Sequence, residues 1–225
     1  MAQPQSGRTI VSRPPVGITG NERMAALSDG IFAIVLTLLV LEIRVPEVAP
    51  EELSHALSEM WPKAIGYAIS FVVIGLYWVL QHNMFQYIKR HDRTLLWLNL
   101  LFLMCVASMP FPSGLIVRYA NEQAPVIFLA VSFIATGLSL DLIWWYASTY
   151  RHMVDERVDK TLIGLVHQRL LISLIFHFAA IGLSFVNVSF AKLMFILAVG
   201  LYLLPSRLSA YHHQESGPKQ ATRGE

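Results

Sequence analysis

Residues 23–44, RMAALSDGIFAIVLTLLVLEIR, form an apolar run long enough to cross a bilayer, yet Asp29 sits within its first third. About 20 apolar residues span the hydrocarbon core. A carboxylate at that depth must face protein or water rather than lipid, which marks a functional position by default. Thr37 is the second oddity, the one polar side chain between Gly30 and Glu42.

Five further runs of that length follow, at roughly 61–87, 93–118, 124–150, 161–185 and 190–211. The chain is 55% hydrophobic and 14% charged, against about 25% charged for a soluble domain. The expectation is therefore an all-α, multi-pass membrane protein with six transmembrane helices. Residues 1–20 would form a flexible leader, 21–211 the helical domain and 212–225 a disordered tail. The leader lacks the pattern of a cleaved signal. Pro50 followed by Glu51 and Glu52 suits a short helix start between the first two spans. Pro110 and Pro112 should kink or loosen the outer part of the third span. Trp144, Trp145, Tyr146 and Tyr150 place an aromatic belt at the end of the fourth.

Basic residues set the orientation. With the N-terminus inside, thirteen Lys and Arg fall on inner segments and four, Arg44, Lys63, Arg118 and Lys192, on outer ones. Both termini are then cytoplasmic. A net charge of +2 without a basic stripe points away from nucleic acid. Cys105 is the single cysteine, so no disulfide within the chain and no cysteine metal site is expected. His212-His213 lies in the polar tail, where solvation explains it better than metal binding.

Depths can be compared at ~1.5 Å per residue, which puts Asp29 roughly 9 Å above Arg23, His82 roughly 10 Å above Lys89 and Asn99 roughly 9 Å above Arg93. Trp78 lies one turn from His82. Polar groups of three helices thus meet at one level. They form a shared network, or else Ser28 and Asp29 cap a helix beginning at Gly30 while His82 and Asn99 serve the interface. At a second level, Asp141 and Arg169 fall at similar depth on consecutive helices and are expected to pair as structural glue.

On the first span, Ile34, Thr37, Leu38 and Leu41 share one face by their i, i+3, i+4, i+7 spacing. That face could be ordinary helix packing. If instead several copies met on a symmetry axis, it would line a narrow apolar tube with one ring of threonine hydroxyls, gated by dewetting.

The pattern Arg23-x-x-x-Leu27-Ser28-Asp29-Gly30, with the apolar run after it, resembles the Arg-x-x-x-Phe-Ser-Asp signature of the transmembrane protein 175 family of potassium channels. The similarity continues through YAISFVVIGLYWVLQHNMF and LLWLNLLFLMCVASMPFPSGLIVRY, so it covers residues 23–119. Leu27 departs from the usual Phe. The resemblance implies a homotetramer of six-helix subunits in a bilayer, as an integral protein of a bacterial inner membrane, with potassium the permeant ion and no other cofactor. It implies a pore lined by the first helix, with constrictions at Ile34 and Leu41, Leu38 at or beside them, and Thr37 as the selectivity hydroxyl. Arg23, Ser28 and Asp29 would join Trp78, His82 and Asn99 in a network bracing that helix from behind.

Neither a TVGYG filter loop nor an arginine ladder is present. The expectation is a potassium-selective leak channel. A proton-coupled secondary transporter using Asp29, His82 or Asp141 is the alternative, although the inverted repeats and interrupted helices of such proteins are not evident. An intramembrane enzyme lacks any metal, nucleophile or phosphate motif.

Overall fold

The computed structural model describes residues 20–155, 158 and 160–203. Apart from Gly20, the leader lies outside that range, as does the whole tail. Helix α1 (Gly20–Leu38) tightens into a 3-10 turn over Leu39–Glu42. A second 3-10 turn at Pro50–Glu52 opens α2 (Leu53–Glu59). Then come α3 (Trp61–Tyr87), α4 (Arg93–Ser108), α5 (Pro110–Arg118), α6 (Gln123–Trp145), α7 (Lys160–Ser184) and α8 (Val188–Leu203). Among the described residues there is no strand beyond one isolated bridge, Ile88 with Val154.

Five of these segments are long and apolar enough to cross a membrane: 22–41, 61–87, 93–118, 123–150 and 160–184. Helix α8 is apolar but shorter within the described residues, and residues 204–211 of the sixth expected span lie outside them. The third span is broken as its prolines require. Pro110 has no N–H, and the Val106 carbonyl it would have met is taken by the Met109 amide at 3.0 Å. A new helix then starts with Pro110 in its first turn.

Helix α6 is central. Some 56% of its most apolar window is buried, against 17–33% for the other four spans. It packs on α4, α5 and α7, while α1 lies against α3 and α4. Lipid is as apolar as leucine, so helices associate through close packing and hydrogen bonds rather than a hydrophobic drive. Small residues mark the tight spots. A Cβ on Gly66 would lie 2.5 Å from Val117 where α3 meets α5, and one on Gly137 would lie 3.2 Å from Leu174 where α6 meets α7.

One end of the bundle carries Arg23, Lys89, Arg90, Arg93, Arg151 and Lys160 and is tied together by backbone and side chains. The α3–α4 loop pairs with the α6–α7 loop through Lys89 N–H to Met153 O at 2.9 Å and Asp155 N–H to Tyr87 O at 2.9 Å. Asp92 caps α4, accepting from the Leu95 amide at 2.8 Å and the Tyr146 hydroxyl at 2.7 Å, with Arg151 Nε 3.4 Å away. Desolvation alone would raise its pKa, but these donors and the nearby guanidinium together hold it below the ordinary carboxylate range. Its contribution is therefore complete at neutral pH and fades only as acid takes the medium below the ~3.9 of an unperturbed aspartate. Asp92→Ala is expected to cost ~1 kcal/mol through the lost cap alone and to lower the melting temperature of the solubilised protein. Asp92→Asn should keep part of the cap, and the gap between wild type and Asp92→Ala should close as pH is lowered.

Candidate functional site

The buried face of α1 follows helical spacing, with Met24, Ser28, Phe32, Val35 and Leu39 all nearly inaccessible. Ser28 is the polar member of that stripe, and three helices converge on it. Gln81 Nε2 of α3 donates to Ser28 Oγ at 3.0 Å and to Asn99 Oδ1 of α4 at 2.7 Å. Asn99 Nδ2 donates to Ser28 Oγ at 3.2 Å, and Ser28 Oγ donates to the Met24 carbonyl at 3.0 Å. The hydroxyl thus donates once and accepts twice, which is its full capacity. The three side chains close a triangle at 1%, 2% and 0% exposure, where an unmet donor would be costly.

Asp29 lies one position round the helix and is exposed. Its Oδ1 accepts from Trp78 Nε1 at 2.7 Å, and the Trp78 ring stacks on His82 at 5.3 Å. Gln86 Nε2 meets His82 Nε2 at 3.0 Å. Ser28 and Asn99 therefore join one group, and Asp29, Trp78 and His82 a second beside it. Arg23 is exposed and contacts neither among the described residues. Gln81 is the member that sequence reasoning missed. Its signal was present: Ile74, Tyr77, Gln81 and Met84 form the buried stripe of α3, so a polar residue in that stripe needs a partner. His82, the more conspicuous residue, falls outside that stripe.

The opposite face of α1 is bare. Leu27, Ile34, Leu38 and Leu41 are 48%, 59%, 45% and 67% exposed. Thr37 lies among them, its hydroxyl within reach of its own helix's Ile34 carbonyl at 2.8 Å and Ala33 carbonyl at 3.0 Å. With its hydrogen on the backbone, the oxygen offers outward only lone pairs, the polarity a cation needs. Leu38 and Leu41 also line an open groove of ≈ 700 Å³ shared with Phe111 and Phe128.

The expected pairing of Asp141 with Arg169 is corrected. Asp141 Oδ1 instead accepts from His167 Nδ1 at 2.6 Å, and Arg169 Nη2 donates to the Leu201 carbonyl of α8 at 2.7 Å. The partner of Asp141 does lie near the expected level on α7, but on another side of the helix. Two residues turn a helix by roughly 200°, since a full turn takes ~3.6 residues, so when His167 faces α6, Arg169 faces α8.

A family profile described as endosomal/lysosomal potassium channel TMEM175 matches residues 23–110, the part of the chain that holds α1, the polar triangle and the bare face. A potassium channel of Streptomyces collinus is 38% identical over 171 residues, which cover 73% of this chain and 82% of that one. The chain belongs to the TMEM175 family. A potassium channel of Chamaesiphon minutus is 32% identical over 197 residues, covering 84% of this chain and 96% of that one. The crystal structure of a lysosomal potassium-selective channel TMEM175 homolog from the same organism superposes with a TM-score of 0.71 at 30% identity, covering 81% of this chain and 96% of that chain. As a TMEM175-family member the chain is an integral membrane protein of a channel family and not an enzyme.

Gln81→Leu keeps the volume but leaves Asn99 Oδ1 without a donor, and is expected to destabilise by about 1 to 3 kcal/mol. Ser28→Ala and Asn99→Leu should be strongly non-additive in melting temperature of the solubilised protein, since each breaks the same triangle. Asp29→Asn retains an acceptor for Trp78 and should change it little.

Proposed function

We propose that the chain is one subunit of a potassium-selective leak channel in which four copies bring the bare faces of α1 together around a pore. The observation that carries this reading is the division of α1 into two faces. One is locked to α3 and α4 by hydrogen bonds, and the other is apolar, exposed and interrupted by a single hydroxyl. Potassium-channel relatives, covered by this chain over most of their length, supply the permeant ion.

In this reading Ile34 and Leu41 form constrictions, with Leu38 beside them, and Thr37 sits between as the selectivity ring. A narrow apolar ring empties of water easily and closes by dewetting. The threonine oxygens, their hydrogens held by the helix, replace part of the hydration shell of an ion that passes. Potassium gives up water more readily than sodium, so a ring of hydroxyls favours it moderately. No side chain of α1 puts a fixed positive charge beside this face between Gly30 and Leu41. Ser28, Asn99 and Gln81, with Asp29, Trp78 and His82 beside them, act behind the pore and set the rotation of α1, whereas Arg23 stands apart from both groups.

Purified protein in liposomes under a potassium gradient is expected to set a membrane potential without counter-transport of protons. Obligatory proton exchange would point to a coupled transporter instead. Thr37→Ala is expected to lower the potassium-to-sodium permeability ratio about five-fold, the equivalent of ~1 kcal/mol of differential stabilisation, while flux persists. Ile34→Asn should raise conductance by wetting its ring. An unchanged ratio in the first or unchanged conductance in the second would remove that residue from the pore.

A further inference from the structure

A second region with the character of a binding site lies away from α1. On the side where α3 and α5 face α6, α7 and α8, the packing leaves a cleft of ≈ 490 Å³. On α3 it is lined from Pro62 to Leu80, a length of ~27 Å at ~1.5 Å per residue, so the space is a long channel rather than a compact pocket. Ile65, Ile69 and Ile196 among its lining residues are 54%, 48% and 58% exposed, so the cleft opens sideways along apolar spans.

Its lining is largely hydrocarbon; besides the hydroxyls of Ser70, Tyr77, Ser113 and Ser173 it holds two nitrogen-bearing side chains, Lys192 and His177. Lys192, on the first turns of α8, lines it near the end where α3 begins, and forms no ion pair among the described residues. His177 is 5% exposed and gives its Nδ1 hydrogen to the Ser173 carbonyl at 2.7 Å. The rings of Phe133 and Phe195 flank it at 5.1 and 5.9 Å. Its second nitrogen has no partner among the described residues, so the ring leaves one nitrogen to the cleft. No carboxylate lines the space, and the Lys192 ammonium at its rim favours an anionic group over a cation. Water is a poor filling for walls this apolar. Bilayer hydrocarbon reaches the open side directly.

We propose that this cleft is a lipid site holding one acyl chain of an anionic phospholipid. Lys192 meets the phosphate at the rim, and the chain lies along α3 toward Leu80. His177 receives a hydroxyl or water that enters with the glycerol end. Ala198, buried at 3% and on the cleft wall, is the position from which a larger side chain blocks the channel.

The test is native mass spectrometry of the full chain, solubilised and exposed to equal amounts of phosphatidylglycerol and phosphatidylcholine with identical chains. The wild type is expected to retain one phospholipid per chain, with phosphatidylglycerol favoured about five-fold, the factor that ~1 kcal/mol per basic residue at a membrane surface provides. Lys192→Gln should keep the lipid but lose the preference. Ala198→Phe should lose the lipid while helix content and elution volume stay unchanged. If Ala198→Phe fails to fold, Lys192→Gln decides, because a rim substitution leaves the packing intact. A wild type that retains no phospholipid, an undiminished preference in Lys192→Gln, or equal retention in a folded Ala198→Phe overturns the proposal. Retention of free fatty acid in place of phospholipid does the same. So does disulfide trapping between two copies carrying Ile69→Cys in a Cys105→Ser background, since it assigns the cleft to a second copy.

Discussion

Apolar contacts hold α1 in the bundle but do little to say which way it faces, because lipid solvates leucine as well as a neighbouring helix does. Hydrogen bonds are directional, and in hydrocarbon an unmet donor has no water to fall back on. The triangle of Ser28, Gln81 and Asn99 therefore sets the rotation of α1. Everything on the other side of that helix follows. With Ser28 turned inward, Ile34, Thr37 and Leu41 are turned outward, six, nine and thirteen residues along. Trp78 and Asp29 add a second bond at the edge of the same contact and limit sliding as well as rotation.

The two ends of the bundle are built differently. At the basic end the α3–α4 and α6–α7 loops share backbone hydrogen bonds, and Asp92 gathers a helix cap, a tyrosine hydroxyl and a guanidinium. At the other end α1 narrows into a 3-10 turn, the third span is divided at Met109, and the cleft beside α8 stays open to the side. The polar ties between elements are concentrated where the hydrogen bonds that hold α1 also lie. At the end where α1 narrows, Leu38 and Leu41 border an open groove.

Much of this was legible in the residues. The run length and polarity of five spans, the proline break, the short acidic helix after α1 and the level at which polar groups of three helices meet all follow from local rules of spacing, propensity and rise. Partners were less legible. Gln81 was overlooked beside the more conspicuous His82 because an uncharged amide stands out only once the buried stripe of α3 is known. Asp141 was matched to the cation at its own depth, whereas the rotation of α7 brings His167 to it and sends Arg169 to α8. Depth can be counted along one helix. Facing depends on two.

The sequence by itself determined that this chain is a multi-helix membrane protein, which segments are long and apolar enough to cross, where α1 carries its carboxylate and its lone mid-span hydroxyl, and the resemblance that led to the TMEM175 family. Those properties depend on each segment alone, on its length, apolar content and residue order. Only the tertiary structure decided that Ser28 rather than Asp29 is the centre of the brace, that His167 rather than Arg169 meets Asp141, and that a lined cleft separates α3 from α8. Each of these depends on the relative rotation of two or more helices, which close packing at glycines and a few directional hydrogen bonds select and which no single segment encodes.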